Sequence, residues 1–311
     1  MLTHPRLKVG LGLPDAEGMM DGGTARWSDL AALARRAEEA GVDSLWVQDH
    51  LLFRLADTDT EGPWESMSLL AALAAVTTRV ELGTLVTCTS FRNPALTAKI
   101  VDTIDEISGG RVILGLGAGW HEPEYQAFGL PFDHRVSRFE EAIQIIHGLL
   151  RDGQVNFEGK YYSARECELR PRGPRASGAP IMLGTTGPRM LRITARYADL
   201  WNVYFTRTGN RVSGIPELRA EVDAACADVG RVPETLGRTA TIYIDFSGAV
   251  GGKSSVNPSG TPALSGDPEA IANELRAYVD EGISHVQVYL EPNTLAGIEQ
   301  FQPVLEALHG T

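Results

Sequence analysis

Short runs dominated by Val, Ile and Leu recur eight times along the chain, at residues 7–13, 44–48, 80–86, 112–117, 181–184, 199–204, 239–246 and 285–290. Runs this brief and this uniformly apolar predict strands buried on both faces, as in a parallel sheet. Between them the apolar positions fall into a 3.6-residue period, which predicts helices over 24–40, 64–77, 94–107, 136–151, 187–197, 214–229, 267–280 and 294–308. Glycines stand where several of these helices should stop, at Gly41, Gly109-Gly110 and Gly282. Strict alternation of eight strands and eight helices, with no break in the pattern, predicts parallel strands and right-handed crossovers. The fold class expected is therefore α/β, a single (β/α)8 TIM barrel over residues 1–311 rather than an open sheet.

Three insertions interrupt the pattern. Residues 120–135 follow the fourth strand, and Pro123 argues against a regular helix there. Residues 153–178 hold two alternating segments around Glu158-Gly159, a hairpin signal. Residues 247–266, rich in Gly, Ser and Pro, follow the seventh strand. In a barrel the loops after strands belong to the C-terminal, catalytic face, so the first and third insertions are candidate covers for a substrate, with a merely flexible surface loop the competing reading for the third.

Composition narrows the partners. A formal charge of −12 repels a phosphate backbone and the basic residues form no stripe, which argues against nucleic acid. The three cysteines, Cys88, Cys167 and Cys226, lie too far apart for a metal motif and are too few for a disulfide scaffold, which fits a cytoplasmic protein. The N-terminus shows no signal-peptide pattern, and no apolar run approaches a membrane span.

Candidate chemistry gathers at strand ends. Asp49 and His50 end the second strand, where barrel enzymes keep catalytic groups. An imidazole exchanges a proton near neutral pH, and a neighbouring carboxylate can fix its tautomer. Gly115, Gly117 and Gly119 look superficially like a dinucleotide fingerprint, yet no helix opens at once and no acid follows at the required distance. They read better as a strand end cleared of side chains so that backbone amides reach a flat or anionic ligand. Gly184, Thr185, Thr186 and Gly187 close the fifth strand ahead of Pro188, and small residues, hydroxyls and a helix N-terminus together make an anion site. A tight turn is the bland alternative there. His121-Glu122-Pro123-Glu124 is not a metalloprotease pattern, so no metal is expected. No G-x-S-x-G elbow supports a covalent nucleophile.

The stretches SLWVQDH, ELGTLVTCTSFRNPALTAK, SGGRVILGLGAGWHEPEYQAFGLPF, FEGKYYS and MLGTTGPRMLRITARYADLWN, spanning nearly all of residues 7–205, resemble the bacterial-luciferase-like superfamily, especially its F420-dependent oxidoreductase branch. The resemblance implies a barrel with a flavin or deazaflavin ring at the C-terminal strand ends, against a non-prolyl cis bulge that aligns with Leu85-Val86. It implies a catalytic Asp-His pair on Asp49 and His50. It also places phosphate and tail contacts on Gly117, Ala118 and Gly119 and on Gly184 to Gly187. The likeness departs at one position. Where the sugar-phosphate dehydrogenases of the branch carry a glutamate right after the G-x-G, this chain has Trp120, with Glu122 two positions on, so that acid role does not carry over.

The activity implied is hydride transfer between C5 of coenzyme F420 and a small-molecule substrate, with no membrane or nucleic-acid partner and a homodimer left open. An FMN-dependent two-component monooxygenase on the same scaffold is the alternative. A non-catalytic flavin carrier is a third reading, against which the retained Asp49-His50 speaks.

Overall fold

The computed structural model describes residues 6–55, 59–248, 257 and 259–310. Eight parallel strands close on themselves: β1 (Lys8–Gly12), β2 (Ser44–Val47), β3 (Glu81–Thr84) continued by the short β4 (Thr87–Cys88), β5 (Val112–Gly117), β8 (Ile181–Gly184), β9 (Leu200–Val203), β10 (Gly237–Asp245) and β11 (His285–Glu291), which pairs back with β1. Strands β6 (Gln154–Glu158) and β7 (Ser163–Glu168) form a separate antiparallel hairpin, at the place where sequence alternation predicts one. Eight main helices surround the barrel: α1 (Trp27–Glu39), α2 (Ser66–Val76), α3 (Pro94–Ser108), α5 (Arg135–Asp152), α6 (Pro188–Tyr197), α8 (Ile215–Asp228), α9 (Pro268–Asp280) and α10 (Leu295–His309). The short α4 (Glu122–Ala127) and α7 (Phe205–Thr208) sit on connections after strands. No helix among the described residues is long and apolar enough to cross a membrane.

Predicted and observed bounds agree within a few residues; α3, for instance, stops at Gly109, whose φ of 69° is one that only glycine adopts freely. Two local readings need correction. The run 80–86 is not one strand. It ends at Thr84, turns at the cis peptide Leu85-Val86, and resumes as β4 beside Leu116 and Gly117. Thr84 Oγ1 donates to the Gly115 carbonyl (2.9 Å) and Thr87 Oγ1 to Thr84 Oγ1 (2.8 Å), which fixes the turn. Residues 122–127 are helical despite Pro123, because proline lies in the first turn, where its missing N–H has no carbonyl to serve.

Inside the barrel, one large ring occupies the space that small neighbours leave. Trp46 is fully buried between Gly10 and Gly83, where an added Cβ would lie 2.4 and 2.2 Å from its ring atoms. Its indole N–H donates to Ser44 Oγ (2.7 Å), which in turn meets His285 Nε2 at 2.7 Å. Burial pushes His285 down to about 3, so this imidazole is a neutral part of the core. Trp46 packs with Ile113 and Met182, and Leu85 and Val86 rest on that cluster. The interior is thus a solid plug, and the C-terminal mouth has an apolar floor.

Residues 120–135 follow β5 at the C-terminal end, as the pattern predicts. Of the 247–266 segment, residues 249–256 and 258 lie outside the described residues; its return limb packs on β10 through a parallel bridge between Ile244 and Leu264.

Candidate functional site

The end of β2 places two adjacent side chains in opposite directions. Asp49, buried, turns toward the connection between β4 and α3. Arg92 donates to both of its oxygens (2.8 and 2.9 Å), Ser66 Oγ donates at 2.7 Å and the Cys88 backbone N–H at 2.9 Å. A carboxylate with every lone pair engaged this way is a fixed anchor. Arg92 also reaches Glu65, the N-cap of α2, so β2, α2 and the segment after the bulge are tied at one point.

His50 turns into the mouth. Its carboxylate partner is Glu124 of α4, not Asp49: Nδ1 lies 3.0 and 3.2 Å from the Glu124 oxygens, and Leu51 N–H donates to Glu124 at 2.8 Å. Glu124 has 0% exposure and the His50 side chain 17%. A carboxylate only accepts, so Nδ1 carries the proton and Nε2 is left without a partner among the described residues. Glu122, the acid that sequence spacing puts nearest the departed position, is exposed and holds Gln126 at 3.2 Å.

Three predicted segments converge on Val86. A Cβ added at Gly117 would lie 2.8 Å from Val86, and at Gly184 or Gly115 3.1 Å from it. Gly119, with φ 73°, faces Tyr125 and Cys88, whose OH and Sγ would lie 1.9 and 2.7 Å from an added Cβ. Protein packing therefore excludes side chains at Gly115, Gly117 and Gly119, alongside the expectation that their backbone amides reach a ligand. The carbonyls of Ala118 and Gly119 are taken as well, by Tyr125 OH (3.1 Å) and Arg135 (2.7 Å).

Gly184 to Gly187 lead into α6. The Thr185 carbonyl accepts from Trp201 Nε1 (2.9 Å), and Arg207 donates to Thr186 Oγ1 (3.2 Å). No side chain caps α6, and a Cβ at Gly187 would meet nothing within 4 Å. An uncapped first turn, the positive end of the helix dipole and an arginine are the features that an anionic group would meet here.

Asp15, at the end of β1, is a residue that the sequence reading passed over. It is buried, accepts from Gln48 N and Nε2 (both 2.8 Å), and burial pushes it up to about 7. The signal available was an acid directly after the first strand, in the same rank as Asp49. Cys88 is buried with its thiol pushed up to about 12, so it offers no nucleophile at neutral pH. Among the described residues no group of three or more His, Cys, Asp or Glu is placed to hold a metal ion.

Comparison with known proteins agrees with this architecture. An F420-dependent glucose-6-phosphate dehydrogenase from Amycolatopsis mediterranei is 36% identical over 177 residues, 55% of this chain and 51% of that protein. The chain therefore matches only about half the length of that relative, although one of the same description from Kineococcus radiotolerans is 30% identical over 83% of this chain and 85% of its own. The solved structure of an F420-dependent secondary alcohol dehydrogenase in complex with an F420–acetone adduct superposes with a TM-score of 0.79 at 21% identity, covering 97% of this chain and 99% of that one. The model of the luciferase-like monooxygenases matches residues 7–246, and the chain belongs to that family.

Proposed function

We propose that this chain is an F420-dependent oxidoreductase that moves a hydride between C5 of the deazaflavin and a small organic substrate. The observation that carries the reading is a histidine at the C-terminal mouth, oriented by a buried carboxylate so that Nε2 is open, on the same rim as the Val86 junction and the uncapped start of α6. The rim fits the coenzyme on two counts. Leu85 and Val86 rest on an apolar floor that suits a flat ring. The α6 amides, Thr186 and Arg207 supply the local donors that a phosphodiester needs in a protein of net charge −12. The names of the relatives support F420 over FMN.

When bound, the deazaflavin accepts or releases hydride at C5. In the oxidising direction His50 Nε2 takes the hydroxyl proton as the carbinol carbon gives up its hydride; in the reducing direction it returns that proton to the carbonyl oxygen. Glu124 holds the imidazole in the tautomer this requires. Asp49 serves by position, keeping the end of β2 and the Cys88 segment in register through Arg92.

The family's description as monooxygenases favours a second reading, in which reduced FMN occupies the same mouth. Carbon at position 5 of a deazaflavin disfavours reaction with oxygen, so cofactor identity decides the reaction class. The test is titration of the purified protein with F420 and with FMN, followed by absorbance. F420 binding and its reduction by an alcohol are expected; submicromolar FMN binding with no F420 binding would overturn the proposal.

A further inference from the structure

The rings of Phe53, Trp120 and His121 form a closed circuit with that of His50. Phe53 lies 4.5 Å from His50 between ring centroids, Trp120 5.6 Å from His50, His121 5.0 Å from Trp120, and Phe53 6.1 Å from His121, which completes the circuit. Trp120 contributes a ring that is 59% exposed, and its indole N–H finds no partner among the described residues. An exposed tryptophan next to a proton-transferring group is surface that a ligand can cover.

The wall is poor in charge. Burial lowers the His121 pKa, and its Nε2 accepts the Arg54 backbone N–H at 3.0 Å, so the ring is neutral. The Arg54 side chain itself turns to Thr60 Oγ1 (3.3 Å). Glu124, the one buried carboxylate of the group, is consumed by His50 and Leu51. The ring faces of Phe53 and Trp120 would strip hydration from a polyol phosphate without donating to it.

We propose that Trp120 and Phe53 set the substrate class of the site: a neutral secondary alcohol or ketone bearing an apolar ring, stacked on Trp120 with its oxygen toward His50 Nε2. This inference rests on the proposed hydride transfer and deepens it. The redox balance is that of the parent reaction, with the carbinol hydride passing to C5, the hydroxyl proton to His50 and the C–O bond becoming C=O.

The test uses the F420-loaded protein and two substrate pairs, 1-phenylethanol against 2-propanol and acetophenone against acetone. The expected kcat/KM preference for the ring-bearing member is about ten-fold or more. Trp120→Ala should collapse that ratio toward one, Trp120→Phe should keep most of it, and both should bind F420 with wild-type affinity by cofactor fluorescence. Binding is read separately, from quenching of tryptophan fluorescence by acetophenone, expected in the wild type and lost in Trp120→Phe. Equal ratios in wild type and Trp120→Ala, acetophenone binding no tighter than acetone, or glucose 6-phosphate outperforming 1-phenylethanol each overturn the inference while leaving F420 chemistry standing. Absence of F420 binding instead removes the reading beneath it.

Discussion

The Nδ1 atom of His50 and the Oε1 atom of Glu124 lie 3.0 Å apart across 74 residues of sequence, and the carboxylate has no exposure to water. In the proposed reaction this pair leaves Nε2 as the nitrogen that would exchange a proton, since Nδ1 is engaged.

Replacing His50 with Ala should lower turnover by roughly 10²–10⁴-fold, the usual contribution of a general acid or base. Affinity for F420 should stay within several-fold, because the apolar floor and the α6 terminus are untouched. Glu124→Gln keeps an acceptor for Nδ1 but removes its charge, and a loss of about 10- to 100-fold is expected. Single-turnover F420 reduction measures both. Wild-type rates in His50→Ala would remove the histidine from the mechanism.

Asp49 and Arg92 give a second prediction, this time in stability. Removing the arginine leaves a buried carboxylate held only by Ser66 and the Cys88 amide. Breaking one side of such a pair costs about 3–5 kcal/mol. Arg92→Met should therefore lower the thermal midpoint by several degrees, and the double variant with Asp49→Asn should recover part of the loss. Equal midpoints for wild type and Arg92→Met would mean that solvent, not Arg92, satisfies Asp49.

The contrast between these pairs marks what sequence could reveal. Elements were legible because burial repeats locally: the helix expected over 187–197 is Pro188–Tyr197, and the strand expected over 181–184 is Ile181–Gly184. His50 stands out in the sequence by its place at a strand end. Its partner does not, because nothing local marks Glu124 over Glu122; only the helical turn beginning at Glu122 swings the one inward and the other to solvent. The glycines at the end of β5 were legible as unusual, but the packing at Gly119 was not, since the Tyr125 and Cys88 atoms that forbid a side chain there belong to other elements.

A third prediction concerns the anion site at α6. Arg207→Ala removes the charge beside Thr186 and should weaken F420 binding by about ten-fold, the scale of one charge-assisted hydrogen bond. The loss should shrink as salt is raised, because Arg207 is exposed and screened. Titrations at two salt concentrations check this, and an affinity insensitive to both the substitution and salt would place the phosphodiester elsewhere.

The last prediction follows from Asp15. Burial raises its pKa from 3.8 to about 7 in the folded chain, while the unfolded chain keeps the ordinary value. Between those two values the folded state binds a proton that the unfolded state does not, so stability falls as pH rises through that window and levels off above about 7. At about 1.4 kcal/mol per unit, the loss between pH 5 and pH 8 is on the order of 2–3 kcal/mol. Asp15→Asn cannot ionise and should remove this slope, at the cost of one of the two hydrogen bonds from Gln48, about 1 kcal/mol at any pH. Urea midpoints at pH 5 and pH 8 should thus diverge in the wild type and lie closer together in the variant, with the variant gaining on the wild type at the higher pH. Parallel pH dependence in the two proteins would show that Asp15 is already ionised in the folded chain at pH 5, with Gln48 meeting the cost of its burial.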